Sequence, residues 1–336
     1  MLGSSMLTAH EVARAPGLAA DRGLVAGAVA GADRRVASRA SALSGVRRPM
    51  LGGEVAVYAT GVADDGTLEA VVDRIAAWAG RLTRFDASSE LMRLNASPSA
   101  RVRIGPTLTA VLDWARTAEG LSDGLVDVAM LGARLAAEAG TSARRPVSAR
   151  RRWSLDRGPR SSTVRREPGV RLDLDGVAKG WLADRALAIV PGGSALVDAD
   201  GDVAVRLVLG DQWGIGIADP REAGALLGVL RLAADEAPRR LGVATSGTSV
   251  HRWTHRDGEA HHLIDPRTWR SAETDVLQAT VVANSAREAE ALAKTAVIAG
   301  RDRGFALLDR PGVLGVLVLT SDGDVRATPE MMRWLE

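Results

Sequence analysis

Four of the five histidines, His251, His255, His261 and His262, fall within the stretch HRWTHRDGEAHH, and the fifth is His10. Imidazole is the side chain best suited to moving protons near neutral pH. A zinc centre would need ligands at fixed spacing on one element, and neither H-E-x-x-H nor a related pattern occurs. If residues 261 and 262 lie in a strand they point to opposite faces, so at most one of them faces a given cleft. Lysine offers a second signal: of 43 basic residues only Lys179 and Lys294 are lysines. In a chain so biased toward arginine, a retained lysine marks a place where a compact ammonium fits and a planar guanidinium does not. Two turns bring charge and glycine together. Asp173 to Gly180 (DLDGVAKG) reads as a strand running into a helix start, where unpaired N–H groups and the helix dipole favour anions. Its spacing is not that of a P-loop. Asp198-Ala-Asp-Gly-Asp202 places three carboxylates in a hairpin-type turn.

Composition narrows what this chemistry serves. The 336 residues are 46% hydrophobic and 25% charged, enough to bury a substantial core, with a formal net charge of only +2. There is no cysteine, so disulfides, thiolate metal sites and a cysteine nucleophile are excluded. Any catalytic metal must be held by oxygen or imidazole. No run of about 18 apolar residues is present, which argues against a membrane-spanning segment. The first 45 residues mix Ala and Gly with scattered charge, without the apolar core of a secretory signal, and read as a flexible extension of a cytoplasmic protein. Arginine is dense from Arg144 to Arg166. With aromatics at 3% there is little to stack on bases, so this segment reads as a solvated linker over about 141–168 and not as a nucleic-acid patch.

Several elements must position these residues. Residues 54–59 alternate like a strand, and Val71, Ile75, Trp78 and Leu82 share one helical face. Helices are predicted from Pro106, where proline suits the first turn, and over 126–139. The second half is rich in strands: 170–174, 195–198, 202–209, 213–217, 225–231, 241–245, 261–264, 276–283 and 314–319. Helices are predicted over 177–189, from the Ser285-Ala-Arg-Glu288 capping box to Gly300, and near 303–309. Grouped strands and helices without strict alternation indicate an α+β domain over 46–336 with mixed sheets.

At this level of detail the chain resembles the FAD:protein FMN transferases. DLDGVAKGWLADRA (173–186) is similar to that family's D-L-G-G-I-A-K-G-Y-x-x-D-R-A element. GVATSGTSVHRW and HHLIDPRT (within 242–268) resemble its T-S-G and H-x-I-D-P-x-T-G elements in the same order. RFDASSELMRLN (84–95) resembles its S-E-L-x-R-x-N motif, SDGLVDVAM (122–130) its D-G-x-F-D-P element, and ALVDADGDVAV (195–205) its G-G-D turn. Together they cover roughly residues 50 to 320.

The resemblance implies cleavage of the FAD pyrophosphate and attachment of FMN, through a phosphoester, to a Thr or Ser of an acceptor flavoprotein, with release of AMP. It implies Mg²⁺ as well. By position, FAD contacts are expected from Leu51, Phe85, Leu125, Val126, Asp127, Asp175, Trp181 and Leu263. Asn95 and Glu90 would shape the pocket entrance, and Lys179 would neutralise a phosphate or steady Asp173 and Asp175. His262 is the expected proton-transfer residue, with Asp265 ordering its turn. Ala178 would present its carbonyl to the metal.

Three departures stand against this pattern. Glu290 and Lys294 occupy the positions of the Asp and Thr metal ligands, and a charged lysine has no lone pair to give a metal. Trp269 replaces the glycine after D-P-x-T, and Asp200 replaces the first glycine of the G-G-D turn. These leave two other readings beside transfer: a non-catalytic FAD-binding protein, and an FAD pyrophosphatase that uses water as acceptor.

Overall fold

The computed structural model describes residues 43–62, 64–143, 152–158, 161–256 and 258–336. Most of the expected N-terminal extension and Arg144–Arg151 lie outside the described residues. Two strands open the fold, β1 (Leu43–Met50) and β2 (Gly53–Thr60), paired as a hairpin through a tight turn at Leu51 and Gly52. The helix α1 (Asp65–Leu82) follows, capped by Asp64, whose carboxylate accepts the Thr67 N–H. Next come α2 (Glu90–Ala96), β3 (Arg101–Ile104) and α3 (Pro106–Leu121), then α4 (Leu131–Glu138). The stretch expected to be an Arg-rich linker contains β4 (Trp153–Asp156) and β5 (Ser162–Arg166), which join β3 in the order β3-β5-β4. Only Arg165 of β5 is exposed, and Arg166 turns inward to donate to the carbonyls of Asn95, Ser97 and Val170.

The main sheet has eight strands in the order β1-β2-β6-β7-β10-β15-β16-β17. Its members beyond the first hairpin are β6 (Ala195–Ala199), β7 (Asp202–Leu207), β10 (Arg239–Gly247), β15 (Val276–Ala283), β16 (Val313–Thr320) and β17 (Val325–Ala327). One face is covered by α5 (Lys179–Leu187) and α6 (Ala286–Ala299), the other by the hairpin of β8 (Gln212–Ala218) and β9 (Leu226–Ala233). The helices α7 (Arg301–Leu308) and α8 (Pro329–Met332) complete the helical set. Two small hairpins, β11 (Arg252–His255) with β12 (Gly258–His261) and β13 (Ile264–Asp265) with β14 (Arg270–Ser271), carry the histidine cluster and the D-P-R-T turn. The α+β class is as expected, and the strand pairings among the described residues are antiparallel.

Close helix-on-sheet packing explains the small residues of α6. Its buried positions include Ala286, Ala289, Ala291, Ala293 and Ala296. At its start a Cβ on Gly242 of β10 would stand 2.0 Å from the main-chain carbon of Ser285, so only glycine permits the approach. The unpaired N–H groups of the first turn are satisfied from outside: Asp184 of α5 accepts from Ala286 at 3.0 Å and Arg287 at 3.1 Å. The Asp of the D-R-A motif is therefore a cap that joins α5 to α6.

Three expected elements differ, the first being the strand over 261–264, which is interrupted at His262 and Leu263 between β12 and β13. Residues 126–130 precede the helix at Leu131 instead of belonging to it, and 170–174 form no strand. The latter segment is extended, but its main chain bonds to a side chain and a loop: Leu172 N–H donates to Asn95 Oδ1 at 2.7 Å, and Asp173 N–H to the Val128 carbonyl at 2.7 Å.

Candidate functional site

A small cleft of about 40 Å³ opens where four segments converge. The loop before α4 contributes Leu125, Val126 and Asp127, and α4 itself contributes Arg134. The turn before α5 contributes Asp173, Asp175 and Gly176. The small hairpins supply His262 and Ile264, and α6 supplies Lys294.

Arg134 is the hub, and its role was not foreseen. It is buried on α4, where its guanidinium donates to Glu138 at 2.9 Å, to Asp175 Oδ2 at 3.2 Å and to the His262 carbonyl at 3.1 Å. The Trp253 ring lies 5.2 Å from it. A single arginine on an otherwise apolar helix face was the available signal, because burying a guanidinium demands partners. Asp175 faces this arginine, and Lys294 Nζ donates to the Asp175 carbonyl oxygen at 2.8 Å. Burial would raise the Asp175 carboxyl, but Lys294, then Lys179 and Arg134, hold it well below the usual carboxylate range. Asp173 next to it is pushed up, first by burial and then by the Asp175 charge. The two neighbouring carboxyls are thus shifted in opposite directions, Asp175 down and Asp173 up.

His262 Nδ1 lies 3.2 Å from the Val250 carbonyl oxygen. A carbonyl only accepts, so Nδ1 carries the proton and Nε2 keeps its lone pair. Burial, with Lys294 and Arg134 adding to it and Asp175 opposing, lowers the imidazole to about 3, so the ring is neutral at physiological pH. A neutral imidazole with an open Nε2 at a cleft wall can accept a hydrogen bond from a hydroxyl. An anionic ligand beside it would raise its basicity toward the range that general-base work needs. His251 packs edge-on against it, with ring centroids 5.3 Å apart. His261 is spent on structure: its Nε2 lies 3.0 Å from the Ala272 carbonyl, and its Nδ1 accepts the Leu263 N–H at 3.3 Å.

Other expected site residues lie elsewhere. Leu263 is fully buried behind the cleft and Trp181 packs edge-on against Trp78 in the core, so neither lines it. Leu51 sits in the β1–β2 turn. Phe85 is 83% exposed, with the Arg84 guanidinium 4.3 Å over its ring. Asn95, expected at the entrance, is a buried clamp whose amide both donates to and accepts from Leu172. Glu90 accepts the Gly105 N–H at 2.5 Å, tying α2 to the start of α3. Asp265 orders its turn as expected but is not free for chemistry: Arg267 grips both carboxylate oxygens, and the Asp265 carbonyl accepts the Trp269 N–H.

Behind the cleft floor lies a second polar group. Lys179 donates to the Asp200 carbonyl at 3.2 Å and lies 3.6 Å from Asp202 and 3.7 Å from the Asp200 carboxylate. Burial alone would lower this ammonium, but Asp202 and Asp200 outweigh it and raise it. Lys179 serves these two carboxylates and makes no hydrogen bond to Asp173 or Asp175. Burial drives Asp198 up to about 7, Asp202 up to about 6, and Glu290 well above the usual range. The turn before α5 is not a cradle of free amides either. The N–H groups of Gly176, Val177 and Ala178 all point at the Leu174 carbonyl, and that of Gly180 goes to Glu290 Oε2 at 3.0 Å.

The ligand set implied for Mg²⁺ is not assembled. The Ala178 carbonyl accepts the Leu182 N–H at 2.9 Å as part of α5. Glu290 spends one oxygen on Gly180 and leaves only Oε1 without a partner. Lys294 sets an ammonium where an oxygen ligand belongs. Two unit charges about 4 Å apart repel by about 4 kcal/mol at an effective dielectric of 20, and a divalent ion doubles that. No group of three or more His, Cys, Asp or Glu side chains placed to hold a metal occurs among the described residues.

With the cleft defined, comparison with known proteins places the fold. It matches the ApbE protein of Thermotoga maritima with a TM-score of 0.72 at 23% identity, covering 88% of this chain and 100% of that one. It matches the flavin transferase ApbE of Vibrio cholerae at 0.69 and 22%, with 88% and 100% covered. These define the architecture as that of the ApbE proteins. The ApbE family model matches residues 52–318, and the chain belongs to that family. FAD:protein FMN transferases from Treponema pallidum and Rhodobacter capsulatus are 36% and 32% identical over 177 and 273 residues. Those stretches cover 48% and 74% of this chain. The chain spans about half the length of these curated relatives, 47% and 50%. No helix among the described residues is long and apolar enough to cross a membrane.

Proposed function

We propose that this chain transfers FMN from FAD to a Thr or Ser hydroxyl of an acceptor flavoprotein and releases AMP. The observation that carries the reading is the meeting, in one cleft, of a neutral His262 whose Nε2 is open with two fixed cations, Arg134 and Lys294. The names of the relatives in the same family point to the same substrate pair.

In this reading the acceptor hydroxyl attacks the phosphorus on the riboflavin side of the pyrophosphate. The new P–O bond forms as the bond to the AMP phosphate breaks, and His262 Nε2 takes the hydroxyl proton. The cations offset the charge that gathers on the phosphoryl oxygens and the departing AMP, which is the principal demand of phosphoryl transfer. Asp175 holds Arg134 in place and, through its carbonyl, Lys294. Mg²⁺ belongs to the activity that the resemblance implies, but no step is assigned to it because the residues at its position do not suit it.

The test is incubation of the purified chain with FAD and candidate acceptor flavoproteins, measuring AMP and covalent flavin fluorescence on the acceptor. AMP together with labelled acceptor supports transfer. AMP with no acceptor dependence indicates hydrolysis, and tight FAD binding without AMP indicates a non-catalytic binder.

A further inference from the structure

Lys294 differs from the other cations of the site in making no direct ion pair, although the Asp175 and Glu290 carboxylates feel its charge. Lys179 is matched by Asp200 and Asp202, and Arg134 by Glu138 and Asp175. Among the described residues no carboxylate pairs with Lys294, whose one hydrogen bond is to the neutral Asp175 carbonyl. An ammonium has three N–H donors, so two are left for a ligand in the cleft that the residue lines. Gly176 makes this placement possible: a Cβ there would lie 1.8 Å from Nζ, so any larger residue would displace the ammonium from the cleft floor. Of the implied metal shell, the Ala178 carbonyl accepts within α5 and Glu290 keeps only Oε1 free, so at the position of the missing hydroxyl ligand the chain supplies an ammonium instead.

We infer that Lys294 takes the place of the divalent ion, so that this cleft binds the pyrophosphate of its ligand without a metal. This rests on the reading of the cleft as an FAD site. Because the lysine is part of the chain, the positive charge is present before the ligand arrives and does not depend on metal concentration. A cation built into the fold is also held by the packing of α6 on the sheet, so it is preorganised toward the anion.

The experiment titrates FAD against the full chain in EDTA and again in millimolar Mg²⁺, following flavin fluorescence. Wild-type affinity should agree within about twofold between the two conditions. Lys294→Met, which keeps length and loses charge, should bind at least 10-fold more weakly in both. Lys294→Thr should be equally weak in EDTA and recover when Mg²⁺ is added, because an oxygen ligand has been restored. If Mg²⁺ tightens FAD binding to the wild-type chain 10-fold or more, the inference is overturned, whether or not the variants fold. Absence of FAD binding in every condition sinks the FAD reading instead. The same titration by calorimetry with inorganic pyrophosphate then decides the role of Lys294. Metal-free binding that Lys294→Met abolishes supports it, and no binding in EDTA refutes it.

Discussion

Gly180 and Glu290 meet across the contact between α5 and α6, the Gly180 N–H donating to Glu290 Oε2 at 3.0 Å. The helices approach so closely here that a Cβ on Gly180 would lie 2.6 Å from the Ala286 carbonyl oxygen and 2.7 Å from Arg287 Cα. Both obstacles are backbone, so they cannot swing aside. The same junction is capped by Asp184, and it fixes α6, and with it Lys294, against the turn that carries Asp175. Gly180→Ala should therefore cost about 1–3 kcal/mol of stability, the range for overpacking a tight core. It should also weaken FAD binding by shifting Lys294. Chemical denaturation and a flavin titration measure the two effects, and an unperturbed variant would show that the helices have slack.

Lys179→Ala tests the group behind the floor. Removing the ammonium leaves the buried Asp202 and the half-buried Asp200 without their cation, a loss of about 1–3 kcal/mol, below that of a fully buried pair because Lys179 is partly exposed. Urea unfolding should show a loss of that order. A loss confined to FAD affinity, with stability intact, would mean that the lysine faces the ligand after all.

How much of this was legible in the sequence depends on where each residue's partners come from. The N-cap at Ser285 rests on local sequence and is where it was expected, its hydroxyl accepting the Glu288 N–H. Arg134 could not be placed that way, because its partners Asp175 and the His262 carbonyl lie 41 and 128 residues away. Asn95 misled for the same reason. The resemblance places it at the pocket entrance, yet its amide is consumed by Leu172, 77 residues on, standing in for a strand partner. Strands β4 and β5 were hidden by arginines that made a paired segment look like a solvated loop. Leu263 and Trp181 belong to motifs that adjoin the cleft, but alternation and helical phase turn their side chains into the core.

His262 makes a kinetic prediction with a definite sign. Its imidazole is lowered to about 3 in the folded protein, so the base form is lost only as pH falls through that value. The kcat/KM for AMP release should stay flat from pH 7 down to pH 5, with no inflection near 6.5. His262→Asn should lower the rate by about 10²-fold or more while sparing FAD binding, the usual worth of general acid–base catalysis. His261→Asn should leave the rate within a fewfold and reduce thermal stability instead. An inflection near 6.5 in the wild-type profile would show that the ring is not held neutral.

Asp198 provides a pH dependence of stability. Burial pushes its carboxyl up to about 7, with the Gly201 N–H opposing and the charges of Asp202 and Asp200 reinforcing. Between the ordinary carboxylate value and about 7 the folded chain holds a proton that the unfolded chain has lost, so this group's contribution to stability falls as pH rises through that window. Asp198→Asn removes the titration and keeps an oxygen to accept the Gly201 N–H at 2.7 Å. Comparing melting temperatures at pH 5 and pH 8 isolates the group, since contributions from His262 and the other carboxylates cancel between variant and wild type. The variant should gain on wild type as pH rises, and a constant difference would place the Asp198 carboxyl at its ordinary value.

Trp269 stands where the resemblance implies glycine, and its φ is 63°, in the left-handed region that favours that residue. A side chain there costs roughly 1–2 kcal/mol through the clash of Cβ with the carbonyl oxygen. The indole offsets this by packing on the wall formed by Met130, Ala133 and Ile264, with the Arg152 guanidinium 4.3 Å over its ring. Arg152 in turn donates to Asp127 at 3.0 Å, so the tryptophan backs one side of the cleft. Replacing it with either Gly or Ala deletes the same indole contacts, and only Ala keeps the Cβ. Trp269→Gly should therefore be destabilised less than Trp269→Ala, by about 1 kcal/mol, even though glycine is more flexible when unfolded. Equilibrium unfolding of the two variants side by side measures this. If Ala proves equal or more stable, the left-handed conformation is not imposed by the turn, and the tryptophan selects it through its own packing.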